Sequence, residues 1–258
     1  AYTESLFLLV ALLAMYGMQR RWPALIIALI IGAATATRPV GVALLPVLAW
    51  HLWQTSGNFW RLAAKSLLLL PLACWGIAAY MLSLHLEFGD ALAFARTQQH
   101  WVARPTPWLE KLPALLTLEP LWSAYVPSSD LYWAAPARSE WEVRLPVANY
   151  AFMNPILLGA MIMAVIVGGL KRWLNGRELL LSALLLLIPY ATMAYDNLML
   201  SQPRFAAVVF PAYVVIGHLL CRSPRWAACL FLGVCGVLMG LYTVLFAAGY
   251  GTDYRILY

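Results

Sequence analysis

Eight apolar segments follow one another along this chain, and all but one of its charged residues lie outside them. They run at about Thr3–Met18, Trp22–Ala36, Val40–Trp53, Ser66–Leu84, Ala151–Leu170, Leu179–Tyr195, Phe205–Leu220 and Trp226–Ala248. Several fall short of the roughly 20 residues that cross a hydrocarbon core, but their amphipathic ends bring them near that length. Of 258 residues 63% are hydrophobic and 11% charged, against roughly 45–50% and 25% in soluble domains. A soluble fold of this size cannot bury that much apolar surface behind so little polar exterior. The pattern therefore excludes a soluble enzyme, a disulfide-rich secreted module and a disordered chain. It predicts an all-α polytopic membrane protein of about eight transmembrane helices.

The formal net charge of +6 does not point to nucleic acid, because the basic residues form pairs and triplets between apolar segments, not a stripe along one helix. Cys74, Cys221, Cys229 and Cys235 lack metal-ligand spacing and read as small buried hydrophobes. No cofactor is evident, and nothing in the chain supports a divalent metal.

Charge also orders the segments. Pro39 disfavours helix at Arg38, so Trp22–Trp53 is either one kinked helix or two spans. With two, Arg20, Arg21, Arg61, Lys65, Lys171, Arg172, Arg177, Arg222 and Arg225 share one side with a single acid, Glu178. The positive-inside rule selects that arrangement. Residues 1–84 then carry four spans, residues 151–258 carry four more, and residues 85–150 form one long loop outside. That loop holds Trp101, Trp108, Trp122, Trp133 and Trp141 among seven prolines, a composition for interfacial helices and not for a linker. Gly233, Gly236 and Gly240 read as a close-packing face on the last span. The chain opens Ala1-Tyr2-Thr3-Glu4, without an initiator Met or a signal-peptide basic region, and is expected to be the later part of a longer protein.

Walker A, Rossmann, HExxH and GxSxG patterns are absent, so the chemistry must lie with polar residues at the outer surface. Arg38 is the lone cation between Arg21 and Arg61. It is placed either to hold a lipid-linked phosphate bidentately or to anchor a helix end among headgroups. Asp90 is a natural N-cap. Beyond it Phe94, Gln98 and Trp101 fall on one helical face, where aromatics around an amide suit a sugar ring. Arg204 stands at an outer helix start, where the dipole disfavours a cation. Asp196 and a ligand phosphate are its candidate partners. Glu4 complements the dipole of the first helix, and a catalytic role for it is the weaker alternative. His51 and His218 near the inner face are read as structural, and His85 and His100 lack a second metal ligand at suitable spacing.

Four stretches together resemble a known family. Tyr2-Thr3-Glu4-Ser5-Leu6-Phe7 is similar to a Y-[ST]-E-[SA]-L-F motif, and Thr37-Arg38-Pro39-Val40-Gly41 to a T-R-[PS]-x-G turn. Gly89 to Trp101 is similar to a G-D-P-L-A-F-x-x-A-Q-x-x-W loop, departing from it at Ala91 and Thr97, and Arg204 to Pro211 is similar to R-[FY]-x-x-x-x-F-P. The ordered set, spread over about Tyr2–Pro211, resembles the GPI mannosyltransferases of phosphatidylinositol-glycan class V type and their bacterial homologues. The resemblance implies a GT-C-like fold and transfer of mannose from a polyprenyl-phosphate donor to a lipid or glycan acceptor at the outer membrane face. It implies a bacterial plasma membrane, or the ER membrane in a eukaryote. It also implies that the catalytic carboxylate precedes Ala1, leaving Glu4 and Asp90 as weaker candidates within this chain. The fragment alone is then expected to be inactive. Arg38, Gln98, Trp101 and Arg204 are the expected substrate contacts. The rivals are a transporter or flippase of lipid-linked sugars and an inactive scaffold paralogue.

Overall fold

The computed structural model describes residues 3–98, 102, 104, 106–129, 132, 150–199 and 202–247, and every regular element among them is helical. The chain divides into two units, Ala1–Ala212 and Tyr213–Tyr258. Among the described residues three helices are long and apolar enough to cross a membrane: Phe59–Phe88, Met153–Leu170 and Gly176–Ala194. Their outward faces are apolar, with Leu67 and Leu68 81% and 68% exposed, which suits contact with lipid and not with water.

The first unit opens with α1 (Glu4–Gln19), α2 (Ala24–Thr37), a 3₁₀ turn at Pro39–Ala43 and α3 (Leu44–Ser56). At 14 and 13 residues, neither α2 nor α3 has spanning length alone. Their placement is fixed by the two ends of α1, about 22 Å apart at 1.5 Å per residue. Arg38, after α2, meets Glu4 at the first end. His51, within α3, shares the Arg177 guanidinium with the carbonyl of Met18 at the other. The chain therefore reverses at Arg38 and runs back along the same length.

The fourth segment is longer than its apolar run predicts. α4 (Phe59–Leu72) and α5 (Trp75–Phe88) form a near-continuous 30-residue rod, kinked where Pro71 precedes the turn at Ala73 and Cys74. Asn58 caps α4 by accepting the Arg61 N–H. The first turn of α5 is capped from outside itself, since Ile77 N–H donates to the Thr35 hydroxyl of α2. This requires a close crossing. A Cβ on Gly76 would lie 2.0 Å from the Gly32 carbonyl oxygen, and one on Gly32 would lie 1.9 Å from the Trp75 ring. Small residues thus let α2 and α5 touch at Gly32 and Gly76. Within the second unit, a Cβ on Gly233, Gly236 or Gly240 meets no described atom within 4 Å.

Short helices follow: α6 (Ala93–Thr97), α7 (Trp108–Leu116) and α8 (Glu119–Trp122). Trp133 and Trp141 of the same loop lie outside the described residues. α9 (Tyr150–Leu170) leads to α10 (Gly176–Pro189), which opens with a capping box: Asn175 Oδ1 accepts from Arg177 and Glu178 N–H, and Glu178 returns a carboxylate oxygen to Asn175 N–H. After Pro189 the helix widens into a π turn at Tyr190–Ala194. The expected segment Phe205–Leu220 is interrupted. It comprises α11 (Gln202–Ala206) and α12 (Phe210–Arg222), the latter passing into the second unit, which continues as α13 (Arg225–Ala247).

Candidate functional site

The T-R-P-V-G turn uses both of its special residues. Pro39 keeps the preceding residue out of the α region, and Arg38 is extended, with φ −153° and ψ 139°. The returning chain then presses on α2 so closely that a Cβ on Gly41 would stand 2.7 Å from the Ala34 carbonyl oxygen. That turn pushes the Arg38 side chain inward, to 9% exposure, where its Nη1 lies 3.0 Å from Glu4 Oε1.

Arg204 reaches the same carboxylate oxygen through Nε. It arrives by a tightly constrained route. Leu198 and Met199 both adopt left-handed backbone, φ 51° and 63°, a conformation costly for residues with side chains. Asn154 Nδ2 donates to the Met199 carbonyl (2.8 Å), and the buried Gln202 amide donates to the Pro189 carbonyl (3.0 Å). Phe205, next in sequence, places its ring 5.5 Å from the Arg38 guanidinium.

Glu4, Arg38 and Arg204 are thus one cluster, although 34 and 200 residues separate Glu4 from its partners. Two expectations are corrected here. Arg204 is not at the start of a long helix but is the third residue of the five-residue α11, a single turn whose dipole is small. Its carboxylate partner is Glu4; Asp196 pairs instead with Lys111 (2.5 Å). Burial works to lower the Arg38 pKa, and the Glu4 carboxylate opposes it, so the guanidinium stays cationic. Its Nη1 faces Oε1 off the hydrogen-bond direction, and among the described residues neither Nη1 nor Glu4 Oε2 has a hydrogen-bond partner. The arrangement keeps both donor and acceptor capacity beside a fixed cation.

No family model matches the chain, and neither a curated protein nor a solved structure does. The chemistry of the site has to be read from its own groups.

A second polar group was not legible as such in the sequence. Lys111, 7% exposed, ties α7 to Asp196. Arg104 N–H donates to the Asp196 carbonyl, its guanidinium lies 3.6 Å from Glu119, and Tyr195 stacks under it at 5.0 Å. Tyr190 OH donates to the Leu115 carbonyl. These contacts fasten the short helices of the long loop to the end of α10. Asp196 itself was visible as a polar residue closing an apolar run; nothing local marked Lys111, one of three lysines in the chain, as its partner.

The remaining predicted residues are not drawn into the Glu4 cluster by any described contact. Asp90 accepts the Leu92 N–H and pairs with Arg96 at 3.2 Å, a local capping role. Gln98 is exposed at the C-cap of α6. Phe94 packs on Tyr80, ring centroids 5.7 Å apart. Trp101, the third member of that expected face, lies outside the described residues. Among the described residues no group of three metal-ligating side chains occurs.

Proposed function

We propose that this chain belongs to an integral-membrane GT-C-type mannosyltransferase that moves mannose from a polyprenyl-phosphate donor to a glycan or lipid acceptor at the outer membrane face. About eight spans are part of the same reading, with the Glu4 end of the first unit outside and the Arg177 end inside. The bacterial plasma membrane, or the ER in a eukaryote, is the compartment this implies. One observation carries the proposal. Residues from three of the four separated motifs, Glu4, Arg38 and Arg204, meet in a single charge cluster.

In such a transfer the bond from the anomeric carbon to the donor phosphate oxygen breaks as the acceptor oxygen bonds to that carbon. The leaving group departs as a phosphate anion, and the acceptor proton goes to a carboxylate base. Arg38 supplies a desolvated planar cation for the developing phosphate charge, and Phe205 keeps its guanidinium in place. Glu4, shared by both arginines, holds them together; the resemblance puts the base in a segment preceding Ala1. Gln98 and Trp101 remain proposed sugar contacts on the strength of the resemblance.

Mannose transfer by the full protein in membranes tests this. Arg38→Lys keeps the charge and loses the fork. Loss of a contact made mainly in the transition state should cost about 2.7–4 kcal/mol, roughly 100- to 1000-fold in turnover. Near-normal turnover in both Arg38→Lys and Arg204→Lys refutes the phosphate site. A transporter or flippase of lipid-linked sugars is the second reading, because Arg38 lies at a helix break as transporter ligand sites do. It predicts movement of the donor across the bilayer with no new glycosidic bond.

A further inference from the structure

The opposite end of α1 carries a different set of groups. A cavity of about 550 Å³ opens there, lined by Gln19, Arg21, His51, Gln54, Thr55 and Arg177. Its lining contains donors and no carboxylate. Arg177, the second residue of α10, spends one nitrogen on two neutral acceptors, the Met18 carbonyl (3.1 Å) and His51 Nδ1 (3.0 Å). A guanidinium only donates, so His51 Nδ1 accepts, the ring is neutral, and its proton sits on Nε2 as a further donor. The adjacent acid, Glu178, is committed to the Asn175 N–H. Among the described residues no carboxylate lies within ion-pair distance of Arg21 or Arg177. Arg21 adopts left-handed backbone, φ 54°, an uncommon state for a residue with a side chain. The start of α10 adds its positive end.

We infer that this cavity binds a phosphate-bearing anion, held by Arg177 and Arg21 with His51 Nε2–H as a neutral donor. Two cations without counter-ions, beside a helix start and uncharged amides, match the donor-only demand of a phosphate group. The group can come from an anionic phospholipid headgroup, which basic pockets between helices recognise, or from soluble phosphate. The site is about 20 Å along α1 from Glu4 and does not depend on the glycosyltransferase reading.

The test uses the full-length protein in phosphatidylcholine nanodiscs, with or without phosphatidylglycerol. Native mass spectrometry reads retained lipid, and radiolabelled inorganic phosphate reads soluble binding. Arg21→Gln and Arg177→Gln remove lining cations. Arg21 makes no described side-chain hydrogen bond, so its variant keeps the fold if Arg177→Gln does not. Arg20→Gln removes the same charge next door, where the side chain engages Tyr16 and does not line the cavity. Loss of a charge-assisted contact should weaken binding about ten- to a hundredfold. Selective retention of phosphatidylglycerol, weakened by Arg21→Gln but not by Arg20→Gln, establishes a lipid site. Saturable phosphate binding with the same pattern establishes a soluble-anion site. Equal loss in Arg20→Gln, or no binding of either probe, overturns the inference.

Discussion

Replacing Glu4 by Gln should destabilise this protein more than replacing Arg38 by Met, because the two residues occupy unequal places in one cluster. Glu4 is the carboxylate for two cations, whereas Arg38 has one carboxylate partner and is 9% exposed. Glu4→Gln strands a buried guanidinium, a defect that costs about 3–5 kcal/mol. Glu4 itself is 19% exposed, so the lower value of about 3 kcal/mol applies. Arg204 is 47% exposed, and water can replace its partner at a cost of roughly 0–1 kcal/mol. Arg38→Met fills similar volume and leaves Glu4 paired with Arg204, so about 1 kcal/mol is expected. The double variant removes the stranded charge and should be less damaged than Glu4→Gln alone, a coupling of about 2 kcal/mol. Thermal unfolding of the purified protein should show Glu4→Gln lowered by roughly 6–12 °C, at about 2–4 °C per kcal/mol for this chain length. The double variant should lose about 2 kcal/mol, recovering roughly a third of that shift. Arg38→Met losing more than Glu4→Gln, or strict additivity in the double variant, would refute the reasoning.

Two further outcomes are expected. Gly76→Ala should drive α2 and α5 apart, because its Cβ would overlap the Gly32 carbonyl, costing about 1–3 kcal/mol. Gly159→Ala, which meets nothing described within 4 Å, should be neutral to stabilising in the same melts. In intact cells, with the native cysteines replaced, a cysteine at exposed Thr117 should take an impermeant thiol reagent while one at Gly176 is spared; the reverse pattern overturns the proposed orientation.

What the sequence determined by itself is local. The apolar runs dictate helices, since a chain this hydrophobic must satisfy its backbone polar groups within each segment. Pro39 and Gly41 mark the reversal because one forbids helix before it and the other admits backbone that no side chain would clear. Arg38 and Arg204 stood out as lone cations beside apolar segments. Tertiary structure alone decided what they meet. Ion pairs such as Glu4 with Arg204 or Lys111 with Asp196 leave no periodic trace, because a carboxylate carries no local mark of which distant cation will approach it. Helix lengths moved as well: Phe59–Phe88 runs on for 30 residues past Pro71, while the expected run from Phe205 breaks between Ala206 and Phe210. The glycines show the limit most plainly. Gly32 and Gly76 have no spacing that links them, being single residues on different helices whose importance exists only where α2 crosses α5.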